Sequence, residues 1–142
     1  MTGIIKYKKK AIKVAGDNSG KKKIIGVTVP DRTVSFDDFI THIANHNSPY
    51  SRGVIKGVMT DALDCLKELV LDGKNVRLSD LGLFSVGITG KSADSLEEWN
   101  VQQNVTGVHL VVRNTKSWGN TELRKQVRLL EAGSYTPGES AA

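Results

Sequence analysis

Residues 48–73 place the tightest limit on what this chain can fold into. Starting near Ser48 or Ser51 and running to Asp72-Gly73, apolar side chains fall at Ile55, Val58, Met59, Ala62, Leu66, Leu69 and Val70. Recurrence at three and four residues marks one face of an α-helix. Leu63 and Cys65 widen that stripe. A helix of ~20 residues is ~30 Å long, and one short helix with a few strands leaves much of so wide a face uncovered. The surplus points to a second subunit, with a bent helix in a monomer as the other way to cover it. Cys65 is the single cysteine, so no internal disulfide forms. It reads as a small hydrophobe in the core of a cytoplasmic protein.

The flanking segments mix strands with shorter helices. Residues 4–14 combine β-formers with lysine, Gly16-Asp17-Asn18-Ser19-Gly20 is a turn cluster, and residues 24–29 alternate like a strand that Pro30 closes. Together they predict a hairpin or two edge strands. Ser35-Phe36-Asp37-Asp38 has the form of a capping box, and Phe36, Phe39, Ile40, Ile43 and Ala44 share a helical face beyond it. After Gly73, Val76 and Leu78, then Phe84, Val86 and Ile88, then Val108, Leu110 and Val112 alternate as strands, whereas residues 89–104 are polar and aperiodic. A last helix is predicted over 118–131, with Leu123, Val127 and Leu130 inward and Arg124, Lys125 and Arg128 outward. Residues 133–142 read as a disordered tail.

Charge narrows the function. The net charge of +5 is uneven: residues 1–30 hold eight lysines against Asp17, and the remainder holds twelve Lys or Arg against fourteen Asp or Glu. Local excess cation favours an anionic partner. The cluster Lys6, Lys8, Lys9, Lys10, Lys13, Lys21, Lys22 and Lys23 reads as a phosphate-contacting strand pair; the plainer alternative is a lysine-protected sheet edge. No apolar run approaches the ~20 residues of a membrane span, and lysine interrupts the N-terminus too early for a signal peptide. The turn at Gly16–Lys21 is one residue short of a phosphate-binding loop, and Lys22 stands where Ser or Thr would bind magnesium. His42 and His46 share a helix face, but Ile43 stands where a zinc protease needs glutamate, and no third ligand is evident. Glu97 and Glu98 are adjacent and, on a strand, point apart. No catalytic set, metal site, cofactor or small-molecule substrate is expected.

The order of elements carries a family resemblance. Two helices, a tight Asp72-Gly73 turn, a short strand, a Gly/Phe strand, a β-arm, a returning strand and a basic helix resemble the HU/IHF family. The specific stretch is Leu69 to Phe84, in which Asp80-Leu81-Gly82-Leu83-Phe84 is similar to a reduced form of the family's Gly-Phe element. The likeness covers roughly residues 35–130, and the basic strands before it are similar to the HU-HIG branch found in Bacteroides-type bacteria. The resemblance implies an α+β fold: a helical base, a three-stranded antiparallel β-saddle with arm, a C-terminal helix and extra N-terminal β-strands. It divides the chain into a basic extension (1–34), an HU/IHF-like domain (35–131) and a tail (132–142). It also implies a homodimer, or a heterodimer with a paralogue, that grips double-stranded DNA in the nucleoid with little sequence preference. Cations neutralise phosphates, and apolar wedges stabilise a bend.

The sequence departs from that pattern at the arm. Residues 89–104 carry Lys91 against Asp94, Glu97 and Glu98 and contain no proline, and carboxylates pressed toward phosphates weaken binding. Leu96 or Trp99 is a candidate wedge. Gly87 and Thr89 stand where the family tends to be basic, and Asn120-Thr121 replaces the usual Gly-Lys. The cations that remain, Arg52, Arg77, Lys91, Arg113, Lys116, Arg124 and Lys125, join the N-terminal lysines as expected DNA contacts. The rival reading is a scaffolding dimer on the same fold that does not bind DNA.

Overall fold

The computed structural model describes residues 3–133. The described residues before Ser35 and after Glu122 form one compact unit, and Ser35–Glu122 forms the other.

In the first unit, β1 (Gly3–Lys13) and β2 (Lys22–Val29) pair antiparallel across the glycine turn, from Lys6 opposite Val29 to Lys13 opposite Lys22. The third strand comes from the far end of the chain. β6 (Val127–Glu131) runs parallel to β1, Gly3 opposite Val127 and Tyr7 opposite Glu131, giving the sheet order β2-β1-β6. This corrects the helix predicted over 118–131. A 3₁₀ turn at Lys116–Trp118 leads into α4 (Asn120–Lys125), which stops at Gln126. Val127 and Leu130 are three apart, a spacing that suits one face of a helix, but backbone pairing with β1 satisfies the N–H and C=O groups as a strand. Leu123 and Leu130, expected inward, are exposed in the single chain.

The second unit is α1 (Phe36–Ala44), α2 (Arg52–Leu71), β3 (Val76–Leu78), β4 (Gly82–Gly90), α3 (Val101–Asn104) and β5 (Val105–Asn114). Serine caps start both long helices: Ser35 Oγ accepts from the Asp38 N–H at 3.1 Å, and Ser51 Oγ accepts from the Val54 N–H at 3.3 Å. Gly73, at φ +78°, turns the chain out of α2, a left-handed conformation that costs glycine little. The three strands form an antiparallel sheet of order β3-β4-β5. Gly82 lies where the backbone of β5 comes close, because a Cβ there would stand 2.6 Å from the Arg113 carbonyl oxygen. The core centres on Ile40, fully buried, with Ile55 and Val70 from α2.

Two further expectations change. The strand pairing stops at Gly90 and resumes at Val105, so residues 91–104 do not extend an arm. They close into a loop around buried Asn104, whose Nδ2 donates to the carbonyls of Lys91 (3.1 Å) and Ser92 (3.3 Å) and whose Oδ1 accepts from the Asn100 N–H (3.0 Å). Cys65, expected in the core, is exposed in the single chain because it lies off the face of α2 that carries Ile55 and Val70.

Candidate nucleic-acid interface

Strand alternation and pairing register sort the lysines. Successive side chains on a strand point to opposite faces, and directly paired residues share a face. One face of the first sheet therefore carries Lys6, Lys8 and Lys10 from β1, Lys23 from β2 and Arg128 from β6. Ile4, Ile12, Ile25, Val27, Val29 and Leu130 lie between them, and no carboxylate is among the strand-paired residues of that face; Asp31, just beyond β2, lines a cleft with Ile4 and Lys6 at its edge. The opposite face carries Lys9, Lys13 and Lys22, and there Glu131 Oε1 lies 3.5 Å from Lys9 Nζ. Lys21 sits in the turn, where its N–H donates to Ser19 Oγ at 3.3 Å. Of the eight predicted lysines, seven are thus divided between the two faces of the sheet and Lys21 lies in the turn. Arg128 is not among the expected contacts; the parallel pairing of β6 with β1 brings it beside Ile4 on this face.

The cations of the second unit are dispersed. Arg77, Leu83 and Arg113 form one row across β3, β4 and β5, putting the two exposed guanidinium groups on the same sheet face with Ser85, Thr89 and His109. The Thr89 hydroxyl and His109 Nδ1 are 2.6 Å apart. Arg52 is engaged internally: its Nε donates to Thr41 Oγ1 at 2.9 Å and its Nη2 lies 3.5 Å from Asp37. Lys56 donates to the same carboxylate at 2.6 Å. That hydrogen bond and the Lys56 charge, with Arg52 adding, hold the Asp37 pKa below the usual aspartate range. This cluster ties α1 to α2. Lys116 Nζ lies 3.5 Å from Asp80, Lys91 begins the closed loop, Arg124 Nη1 donates to the Val127 carbonyl at 3.5 Å, and Lys125 ends α4.

Other groups singled out in the sequence stay apart from these. His42 is on α1 and His46 in the turn beyond it, so the two do not share a helix face; their rings lie 5.0 Å apart and tilted by 51°, and no group of three or more potential metal ligands occurs among the described residues. Among the described residues, no helix is long and apolar enough to cross a membrane. In the 91–104 loop Leu96 is 93% exposed and Trp99 41%, beside Asp94, Glu97 and Glu98.

Residues 4–129 match the family model described as an HU domain fused to a winged helix-turn-helix, immunoglobulin or glycine-rich motif. The chain belongs to the HU-HIG family. Among solved structures it resembles a candidate bacterial DNA-binding protein from Bacteroides vulgatus, with a TM-score of 0.65 and 13% identity over 99% of this chain. This chain spans 50% of the length of that protein. At such identity the likeness is one of fold. No curated protein matches the sequence significantly.

Proposed function

We propose that this HU-HIG chain binds double-stranded DNA as a non-enzymatic, dimeric nucleoid protein with little sequence preference. The observation that carries the reading is the sheet face of Lys6, Lys8, Lys10, Lys23 and Arg128, which presents five cations and no carboxylate among its strand-paired residues. Such a surface attracts a polyanion by counterion release, and this attraction is indifferent to base sequence. Arg77 and Arg113 add a second cationic row on the other sheet. Neither long helix concentrates cations for reading a major groove, which favours phosphate and minor-groove contact over base readout. The Bacteroides neighbour's description as a DNA-binding candidate agrees with this reading.

Dimerisation follows from unspent apolar surface. In the single chain Val58 is 63% exposed and Val108 is 67% exposed, with Leu63, Leu71 and Leu110 also open. Leu63, Leu66, Val70 and Leu71 of α2 line an apolar groove of about 420 Å³ with Val86, Val108 and Leu110 of the sheet. A continuous surface of that kind is costly to leave in water, and a second copy covers it.

The test is fluorescence anisotropy of a labelled random duplex titrated across a salt series. Affinity that falls steeply with salt is the expected result. No binding even at low salt overturns the proposal in favour of a scaffolding dimer, the reading that the acidic 91–104 loop favours.

A further inference from the structure

The two compact units differ in charge sign. Residues 3–34 and 123–133 contain twelve Lys or Arg against three Asp or Glu, a net +9, whereas Ser35–Glu122 contains eight against eleven, a net −3. The unit with the family's helices and antiparallel sheet is therefore acidic. Two of its expected contacts, Arg52 and Lys116, already face the carboxylates of Asp37 and Asp80. Its one connection long enough to reach along a duplex, residues 91–104, is closed on Asn104 and carries three acids against Lys91. Phosphates approaching that loop meet like charge.

We infer that duplex DNA is held chiefly by one face of the terminal sheet, through Lys6, Lys8, Lys10, Lys23 and Arg128, and that Ser35–Glu122 serves mainly to pair two copies. This rests on the DNA-binding reading and assigns its site. Three features select the face. Its cations come from all three strands, and none of the strand residues paired across it is a carboxylate, with Asp31 only at its edge beside Lys6. The opposite face is diluted, because Glu131 sits 3.5 Å from Lys9 there and its other lysines, Lys13 and Lys22, lie together at the turn end. The lysines of β1 are also evenly spaced, since alternate residues on a strand repeat at about 6.8 Å. Arg128 makes the site depend on both ends of the chain, with β6 carrying a guanidinium to the row that begins at Ile4. Ile4, Ile25 and Leu130 are the exposed apolar side chains between these cations, suited to contact sugar edges while the ammonium groups reach phosphates.

The experiment compares three variants with the full chain by duplex anisotropy over a salt series, each checked for an unchanged circular dichroism spectrum. The Lys6→Ala/Lys8→Ala/Lys10→Ala variant should lose about 0.9 per lysine from the log–log salt slope for each phosphate contact removed, and Arg128→Ala should weaken binding in the same direction. Lys9→Ala/Lys13→Ala/Lys22→Ala and Arg77→Ala/Arg113→Ala should each change the slope less than the first triple does. Equal losses from the two lysine triples overturn the face assignment, and a larger loss from the arginine pair returns the site to the other sheet. Arg128→Lys should recover most of the Arg128→Ala loss if the contact is to phosphate; no recovery, or no loss to recover, removes Arg128 from the site. A parent chain that binds no duplex fails the DNA reading itself, an outcome distinct from each of these.

Discussion

The terminal sheet and the Ser35–Glu122 unit solve opposite problems. Ser35–Glu122 holds Ile40, the one large side chain fully buried among the described residues, together with two serine-capped helices and the Asp37 ion cluster. The terminal sheet buries only Ala11 and spends its side chains on lysine. A strand studded with like charges gains little from its surface and relies on backbone pairing for its shape. Stability is thus concentrated in one unit and charge in the other, so substitutions in the two should have separable consequences.

The largest stability effect is expected from Ile40→Ala, which empties the best-packed position and should destabilise Ser35–Glu122 by about 2–5 kcal/mol in urea titration. DNA affinity measured where the variant is still folded should be unchanged; a parallel loss of affinity would join what we separate. Gly82→Ala comes next, since its methyl would press on the Arg113 carbonyl, and overpacking of this kind costs about 1–3 kcal/mol. Ser51→Ala removes the cap of α2 and should lower the thermal midpoint by the equivalent of about 1 kcal/mol. The lysine triple on β1 should shift the urea midpoint by no more than about 0.5 kcal/mol, and a larger shift would show that the charged face supports the fold. The smallest effect concerns pH. Asp37 has a lowered pKa in the folded state, so its contribution is complete above the ordinary aspartate value of about 3.9 and is lost as pH falls through the lower folded value. An Asp37→Asn variant should show a slightly shallower decline in stability below that range.

Much of the Ser35–Glu122 unit was legible because local chemistry dictated it. Ser35 caps where the sequence places it, Ser51 is one of the two serines the sequence offers for the start of α2, and Phe84, Val86, Val108 and Leu110 alternate with a single period. Residues 127–131 were not legible, since Val-Arg-Leu-Leu-Glu suits a helix or a strand and the decision lies with β1, at the other end of the chain. The same dependence hid the site. Alternation along β1 separates Lys8 from Lys9, but only the registers with β2 and β6 show which face gains Lys23 and Arg128 and which gains Glu131. Residues 91–104 lacked periodicity because Asn104, rather than a repeating pattern, organises them. Residues 134–142, most of the expected tail, lie outside the described residues.

The parallel pairing of β1 with β6 carries a consequence for timing. During synthesis the β1–β2 hairpin emerges before β6, with all of Ser35–Glu122 made in between. Contacts between such distant residues wait on the slow closure of a long loop. A nascent chain therefore lacks the finished cationic face until translation has passed Glu131, by which point the intervening helices have had time to form. The arrangement delays the arrival of Arg128 beside β1 until Ser35–Glu122 has been made, so the proposed DNA-binding face is completed only after the unit proposed to pair the copies has been synthesised.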